Sequence, residues 1–231
     1  MASIHAFDVP DDCTACVHTP GSFCDLSQAS RAALNAAAFP ALYPAGAVLF
    51  GEGDLPRGVF IVCSGRTKVM TSSAEGKTLI VRIAGPGEVL GVSATVNGKL
   101  YEVSAETLDP SQLSFIKRND FLRLLNGNAE LALNAVRQLS AKYHAAQREI
   151  RSLGLANTTA EKLAHLLLDW CGTRDEVRVG FTHEEIAQMI GSTRETVTRV
   201  LSDFRHGSLI EVNGAKIVLL NRAALAAMIT T

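Results

Sequence analysis

The chain is short of charge and of aromatic rings. Of its 231 residues, 19% are charged and 6% aromatic, with a single tryptophan. The formal net charge is −1, so no global basic field draws the molecule to nucleic acid; any such contact must come from a local patch. No apolar run reaches the roughly 18 residues that a membrane-spanning helix requires. The N-terminus carries Asp11-Asp12 and lacks a basic stretch followed by an apolar core, so a secretory leader is not expected. A cytoplasmic location follows as an expectation. There thiols stay reduced, and a disulfide framework is not expected. The Walker loop, G-x-S-x-G and H-E-x-x-H are all missing. The Gly-rich pieces "GEGDLPRG" and "GPGEVLG" sit among short strands, without the strand-to-helix setting of a phosphate loop. An enzyme is therefore not expected.

Cysteine is present and unevenly spread. "CTACVHTPGSFC" places Cys13, Cys16 and Cys24 close together in a polar segment broken by Pro10, Pro20 and Gly21. Residues 1–30 read as an arm that ends in a short Ala-rich helix over about Leu26–Phe39. In a reducing compartment, clustered thiols are metal ligands or redox groups more often than disulfides.

Residues 31–118 read as a β-domain. Val48–Phe50, Gly58–Cys63, Thr67–Thr71, Leu79–Ile83, Tyr101–Leu108 and Gln112–Ile116 are strand candidates. Gly46, Gly51, Gly53, Gly65, Gly76, Gly85 and Gly87 mark the turns. Many short strands at this spacing predict a compact roll or jelly roll.

The period then changes. From Asn119 to about Leu153 there is no proline. Val136, Leu139, Tyr143, Ala146, Ile150 and Leu153 follow one another at alternating steps of three and four, a heptad seam. Arg137, Lys142, Arg148, Glu149 and Arg151 flank it. A narrow seam with charged flanks predicts a 119–153 helix that meets a second copy of itself. Gly154 is expected to end it, and 154–231 forms the last domain. Its first helix is capped by Thr158 or Thr159 and buries Leu163, Leu166, Leu167 and Trp170.

"FTHEEIAQMIGSTRETVTRVLSDFRHGSLIEVNGAKIVLLN" carries the function. Thr182 with Glu185 three residues on forms a capping box. Gly191 supplies a turn, Ser192 or Thr193 caps the next helix, and Thr182, Ser192 and Thr193 are also candidate DNA contacts. Two short helices joined in this way are a helix-turn-helix. The second helix keeps Val197, Val200, Leu201 and Phe204 inside and leaves Arg194, Glu195, Thr198 and Arg199 outside on its first two turns. Recognition helices read bases with their N-terminal residues. An Arg fork fits guanine, and a carboxylate accepts from cytosine N4. The bland alternative is that these charges form surface ion pairs. "LIEVNGAKIVLLN" adds a hairpin about Asn213-Gly214, which makes the domain a winged helix.

"THEEIAQMIGSTRETVTRVL" resembles the DNA-binding signature of the superfamily that includes the cyclic-AMP receptor protein and the fumarate-and-nitrate-reduction regulator. The glycine-studded "LFGEGDLPRGVFIVCSGRTKVMTSSAEGKTLIVRIAGPGEVLG" is similar to the family's sensory β-roll. The resemblance covers nearly everything past residue 40. It implies an α+β fold: a cyclic-nucleotide-binding-like β-roll (jelly roll), a long dimerisation helix and a C-terminal winged helix-turn-helix. It also implies a homodimeric transcription regulator on palindromic double-stranded DNA, with RNA polymerase as a further partner. Arg194, Glu195 and Arg199 match the family's base-reading positions. Thr198 stands where relatives carry Gly or Ser, so half-sites resembling TGTGA and TTGAT both remain open.

The resemblance also bears on the signal. The cyclic-nucleotide branch has a Gly-Glu and then an Arg for the phosphate. Here Val92 replaces the Glu, no Arg lies between Arg82 and Arg118, and Lys99 is a poor substitute. Cyclic AMP is not expected as the effector. The oxygen-sensing branch holds a [4Fe–4S] cluster on four thiolates. Cys13, Cys16 and Cys24 resemble its N-terminal ligands, while its late β-roll ligand is Ser114 here. Cys63 is the candidate replacement, with His5 and His18 as alternatives. The competing readings are that Cys63 is a buried hydrophobe, that the arm holds zinc, that it is a thiol switch, or that a small ligand binds the roll near Val62, Leu79, Val81 and Leu90. Cys171 is read as core.

Overall fold

The computed structural model describes residues 22–155, 158–214 and 216–229. The chain divides into two compact units, residues 1–71 with 81–143 and residues 72–80 with 144–231. The first part of the chain gives α1 (Gln28–Ala37), β1 (Ala38–Tyr43), β2 (Val48–Phe50), β3 (Gly58–Ser64), β4 (Thr67–Ser72), β5 (Thr78–Ala84), β6 (Val89–Leu90), α2 (Val92–Asn97), β7 (Ser104–Thr107) and β8 (Ser111–Lys117). Two four-stranded sheets result, ordered β1-β8-β3-β6 and β2-β7-β4-β5.

The alternation of β3 explains the core. Strand side chains alternate between faces, and β3 buries both of its faces. Phe60 and Val62 join Phe50, Val69, Ala84, Ala105 and Leu113 from the other strands. Val59, Ile61 and Cys63 join a second cluster with Leu34 of α1 and with Phe121, Leu131 and Ala135 further along the chain. A fully buried side chain of this kind contributes about 1.5–3 kcal/mol, so both clusters are substantial. Gly58 begins β3 where no larger residue fits: a Cβ there would lie 2.0 Å from the Ile116 carbonyl oxygen. Its own carbonyl accepts from the hydroxyls of Thr95 and Tyr101 at 2.8 and 2.7 Å.

Three sequence expectations need correction here. The first helix stops at Ala37, and Ala38–Tyr43 is a strand, although Pro40 sits inside it. β1 is a sheet edge, where a missing N–H is tolerated. The expected 119–153 helix is two helices, α3 (Arg118–Gly127) and α4 (Ala129–Leu155). Asn128 separates them, its Oδ1 accepting from the backbone N–H groups of Glu130 and Leu131, both at 3.1 Å. Finally, Gly154 does not end α4, which continues to Leu155.

One face of α4 holds the sheet. The Gln138 side chain accepts from Val89 N at 3.0 Å and donates to Gly87 O at 2.7 Å, and the Lys142 ammonium donates to Val89 O. The other face carries the seam. Val136 is 60% exposed, Tyr143 63% and Ile150 70%, while Leu139 and Ala146 are also exposed. Leu153 continues the spacing, with its side chain outside the described set.

The second unit holds α5 (Thr159–Cys171), β9 (Glu176–Arg178), α6 (His183–Ile190), α7 (Arg194–His206), β10 (Ile210–Asn213), β11 (Lys216–Leu219) and α8 (Arg222–Ala227). Thr158 caps α5. Trp170 stacks on Phe181 at 5.2 Å. Cys171 is buried on α5, and burial pushes its thiol pKa up.

Candidate nucleic-acid interface and sensory core

α6 and α7 form a tight pair because each end is capped. Thr182 and Glu185 make a reciprocal capping box at the start of α6. Gly191 ends α6 in the left-handed region at φ +63°, which glycine adopts without a Cβ penalty. Thr193 caps α7 by accepting from Thr196 N at 3.3 Å. Ser192, the alternative cap and an expected DNA-facing residue, is half-buried with its hydroxyl 3.3 Å from that of Thr159. Ile186, Ala187, Met189 and Ile190 of α6 are buried, as are Val197, Val200, Leu201 and Phe204 of α7.

Arg194, Glu195, Thr198 and Arg199 are all exposed on the first turns of α7. Among the described residues, Arg194, Glu195 and Arg199 enter no salt bridge, so the ion-pair alternative finds no support there. Thr198 differs. Its hydroxyl donates to Arg194 O at 2.9 Å and lies 2.9 Å from His183 Nδ1. His183, the first residue of α6, escaped the sequence reading; its place directly after the cap was the available signal. The wing is β10 and β11, joined by β9 into a sheet ordered β10-β11-β9. Asn213 pairs with Lys216 and is the last residue of β10, so it lies in the strand rather than in the expected Asn213-Gly214 turn.

On the sensory side, two of the four proposed thiols belong to the same core cluster. Cys24 is 1% exposed and Cys63 7%, and both lie in the core cluster that includes Leu131 and Ala135 of α4. Cys63 sits where the β3–β8 register shifts between Val62 and Ser64. Such a bulge re-aims a side chain. Its Sγ lies 3.5 Å from Ser114 Oγ. Cys13, Cys16, His5 and His18 lie outside the described residues. Among the described residues, no group of three or more His, Cys, Asp or Glu could hold a metal. Two thiols in one cluster fit part of a thiolate donor set, and the remaining donors would come from the arm.

The arm is strapped to α4. Phe23 N donates to Gly87 O at 2.8 Å, and Asn134 Nδ2 donates to Asp25 O at 2.8 Å. The Glu130 carboxylate accepts from Ser27 N and Oγ at 2.7 and 2.6 Å and from Ser30 Oγ. These hydroxyl and amide donors hold its carboxyl below the usual range. In the region compared with the phosphate pocket, Val92 is buried in core and Arg82 is paired with Glu88 at 2.6 Å. Val62 and Leu90 belong to the core cluster of the roll. The cavity in the roll is elsewhere, about 500 Å³ in volume, with Phe39, Tyr43, Phe50, Phe60, Tyr101 and Phe115 in its wall.

A two-sheet roll with a winged helix-turn-helix after it in the chain defines a DNA-binding transcription regulator. Comparison with known proteins gives the same parts in the same order. Residues 41–128 match the cyclic nucleotide-binding domain, and residues 161–228 match the Crp-like helix-turn-helix domain. The chain belongs to the Crp/Fnr family of transcription regulators. It is 28% identical over 187 residues to a cyclic AMP receptor protein of Thermus thermophilus, covering 80% of this chain and 84% of that one. It is also 28% identical over 195 residues to the nitrogen fixation regulation protein FixK of Azorhizobium caulinodans, covering 80% and 77%. The structure of FixK2 from Bradyrhizobium japonicum superposes with a TM-score of 0.72 at 22% identity, covering 83% of this chain and 96% of that one. These relatives are transcription regulators, not enzymes.

Proposed function

We propose that this regulator acts as a homodimer on palindromic DNA and that its arm cysteines report redox state, oxygen or nitric oxide. The observation that supports this is the shared core of the arm and α4. Phe23 and Cys24 pack in one cluster with Cys63, Leu131 and Ala135, while the opposite face of α4 exposes Val136, Tyr143 and Ile150. An exposed apolar stripe at heptad spacing is a dimer seam. A change at Cys24 therefore reaches the helix that would pair with its copy.

Cys13, Cys16, Cys24 and Cys63 would hold a [4Fe–4S] cluster, which supplies a centre that oxygen or nitric oxide attacks. Cys24 and Cys63 fix their sulfurs within the core, and Asn134 and Glu130 hold the strap that connects the arm to α4. Loss of the thiolate set frees the strap and biases α4 between two packings. Cyclic AMP is not the effector in this reading, because Val92 stands where the Glu would be, no Arg lies between Arg82 and Arg118, and Arg82 is itself paired with Glu88.

Anaerobic purification followed by iron, acid-labile sulfide and zinc analysis tests the proposal. Iron and sulfide are expected in equal amounts, and both are expected to fall in Cys13→Ser, Cys24→Ser and Cys63→Ser. DNA affinity is expected to change on exposure to air. Zinc in place of iron, or a metal-free protein whose DNA binding ignores air, would refute cluster sensing. The second reading would then lead: a small ligand in the aromatic cavity. Low aromatic content makes six rings around one cavity notable. Ligand-induced stabilisation by small aromatic acids, reduced by Phe60→Ala, would support it.

A further inference from the structure

Four of the nine phenylalanines and two of the three tyrosines line the cavity of the roll. Its volume of about 500 Å³ falls within the roughly 300–1,000 Å³ of small-molecule sites. The rings stand as walls. Phe50 stacks on Tyr101 at 4.0 Å, and Tyr43 meets Phe60 edge-on at 6.3 Å. Phe39 in the same lining is exposed, so the group is not closed core. Rings set in this way accept a planar guest in offset or edge-to-face contact. The rim is tied to the wall by backbone bonds: Gly53 N donates to Tyr101 O at 2.8 Å, and Tyr101 N donates to Asp54 O at 2.9 Å.

The same rim, in "GEGDLPRG", supplies two opposite charges. Asp54 and Arg57 both line the cavity and are exposed. Among the described residues, neither enters a salt bridge. Asp54 Oδ2 accepts from Gly51 N at 2.9 Å, which fixes the carboxylate and leaves Oδ1 for a ligand. The Arg57 backbone is held by Arg118 N, which donates to its carbonyl at 2.8 Å. A ligand with a carboxylate alone would meet Asp54 as a like charge, and one with an ammonium alone would meet Arg57. A ligand with both charges answers both. We infer that the cavity binds a free aromatic α-amino acid, its ring among the six, its carboxylate on Arg57 and its ammonium on Asp54. The inference rests on the cavity being a ligand site, and it deepens that reading by naming the ligand class. No residue of the lining belongs to the core cluster of Cys24 and Cys63. β3 lies between them, with Phe60 on the cavity side and Val59 and Ile61 on the side of that cluster. The site is therefore an input separate from the arm.

Titration calorimetry of the full-length protein tests this. The probes are L-phenylalanine, L-tyrosine and L-tryptophan, each beside its deaminated acid and its decarboxylated amine. An amino acid is expected to bind about fivefold more tightly than either of its analogues, the upper end for an exposed ion pair. Asp54→Asn keeps an acceptor for Gly51 N and is expected to bind the amino acid and the deaminated acid equally. Arg57→Gln changes an exposed side chain and is expected to bind the amino acid and the amine equally. Wild-type protein that binds an analogue as tightly as the amino acid would overturn the inference, as would a preference that either variant leaves unchanged. Those outcomes leave the cavity as a site for a different aromatic ligand. Failure of every probe to bind would overturn the inference and the ligand-site reading of the cavity together. DNA binding and iron content, measured on the same preparation, stand apart from all of these results.

Discussion

Lys142 offers a test of how α4 is seated. Its ammonium is largely buried, faces Arg82 and Glu88 and donates to Val89 O. Burial first, and then Arg82, lower its pKa from 10.5 to about 8, with Glu88 opposing. At about 1.4 kcal/mol per pH unit, holding the charged form in the fold costs about 3 kcal/mol. Below pH 8 the lysine is protonated in both the folded and unfolded states, so the whole cost is present. Between about pH 8 and 10.5 the unfolded chain keeps the proton that the folded one has lost, so stability from this residue rises with pH. Lys142→Met removes the charge but also a hydrogen bond worth about 1 kcal/mol. The variant is therefore expected to be about 2 kcal/mol more stable than wild type at pH 7. That advantage should shrink as pH rises and reverse near pH 10. Urea denaturation of both proteins from pH 7 to 10, at one protein concentration and under reducing conditions, measures the difference. A variant less stable at pH 7 by an amount independent of pH would refute the reasoning.

Other outcomes follow from single features. Arg199→Ala is expected to weaken binding to a site selected from random DNA by about 5- to 160-fold in gel shifts, since one guanidinium fork is worth about 1–3 kcal/mol. Tyr143→Glu and Ile150→Glu each place a charge in the exposed seam, and either is expected to convert dimer to monomer by light scattering, with the helix content of the circular dichroism spectrum retained. Asn128→Ala removes the cap of α4 and is expected to cost about 1–2 kcal/mol in denaturation; the companion bond from Asn128 Nδ2 to Ser30 Oγ at 2.9 Å places the loss at the arm as well.

The helix-turn-helix was legible because its signals are local. A capping box, one glycine and a 3.6-residue apolar period lie within 25 positions and agree with each other. Most β-roll strands were legible for the same reason, the glycines marking their ends. What escaped depends on distant partners. Ala38–Tyr43 contains Pro40 and follows a helical stretch, and it is a strand because β8 offers an edge to pair with. The split at Asn128 was present in "NGNAE" as a stop followed by a cap, but the long heptad pattern obscured it. Cys63 was located correctly on β3; its nearness to Ser114 and its sharing of a core with Cys24 depend on a bulge and on strand pairing that no local pattern encodes. His183 reaches Thr198 only because Gly191 folds α7 back across α6.

The Gln138 side chain has a consequence beyond seating α4. β6 is the last strand of its sheet, so one row of its backbone groups faces outward. Such a row is a template for a strand of another molecule. Gln138 answers Val89 N and Gly87 O as a neighbouring peptide group would, and Lys142 takes Val89 O. Two helical side chains thus imitate a fifth strand, and a short sheet edge closes without lengthening the sheet. The same contacts that hold the helix against the roll also guard the folded molecule against edge-to-edge aggregation.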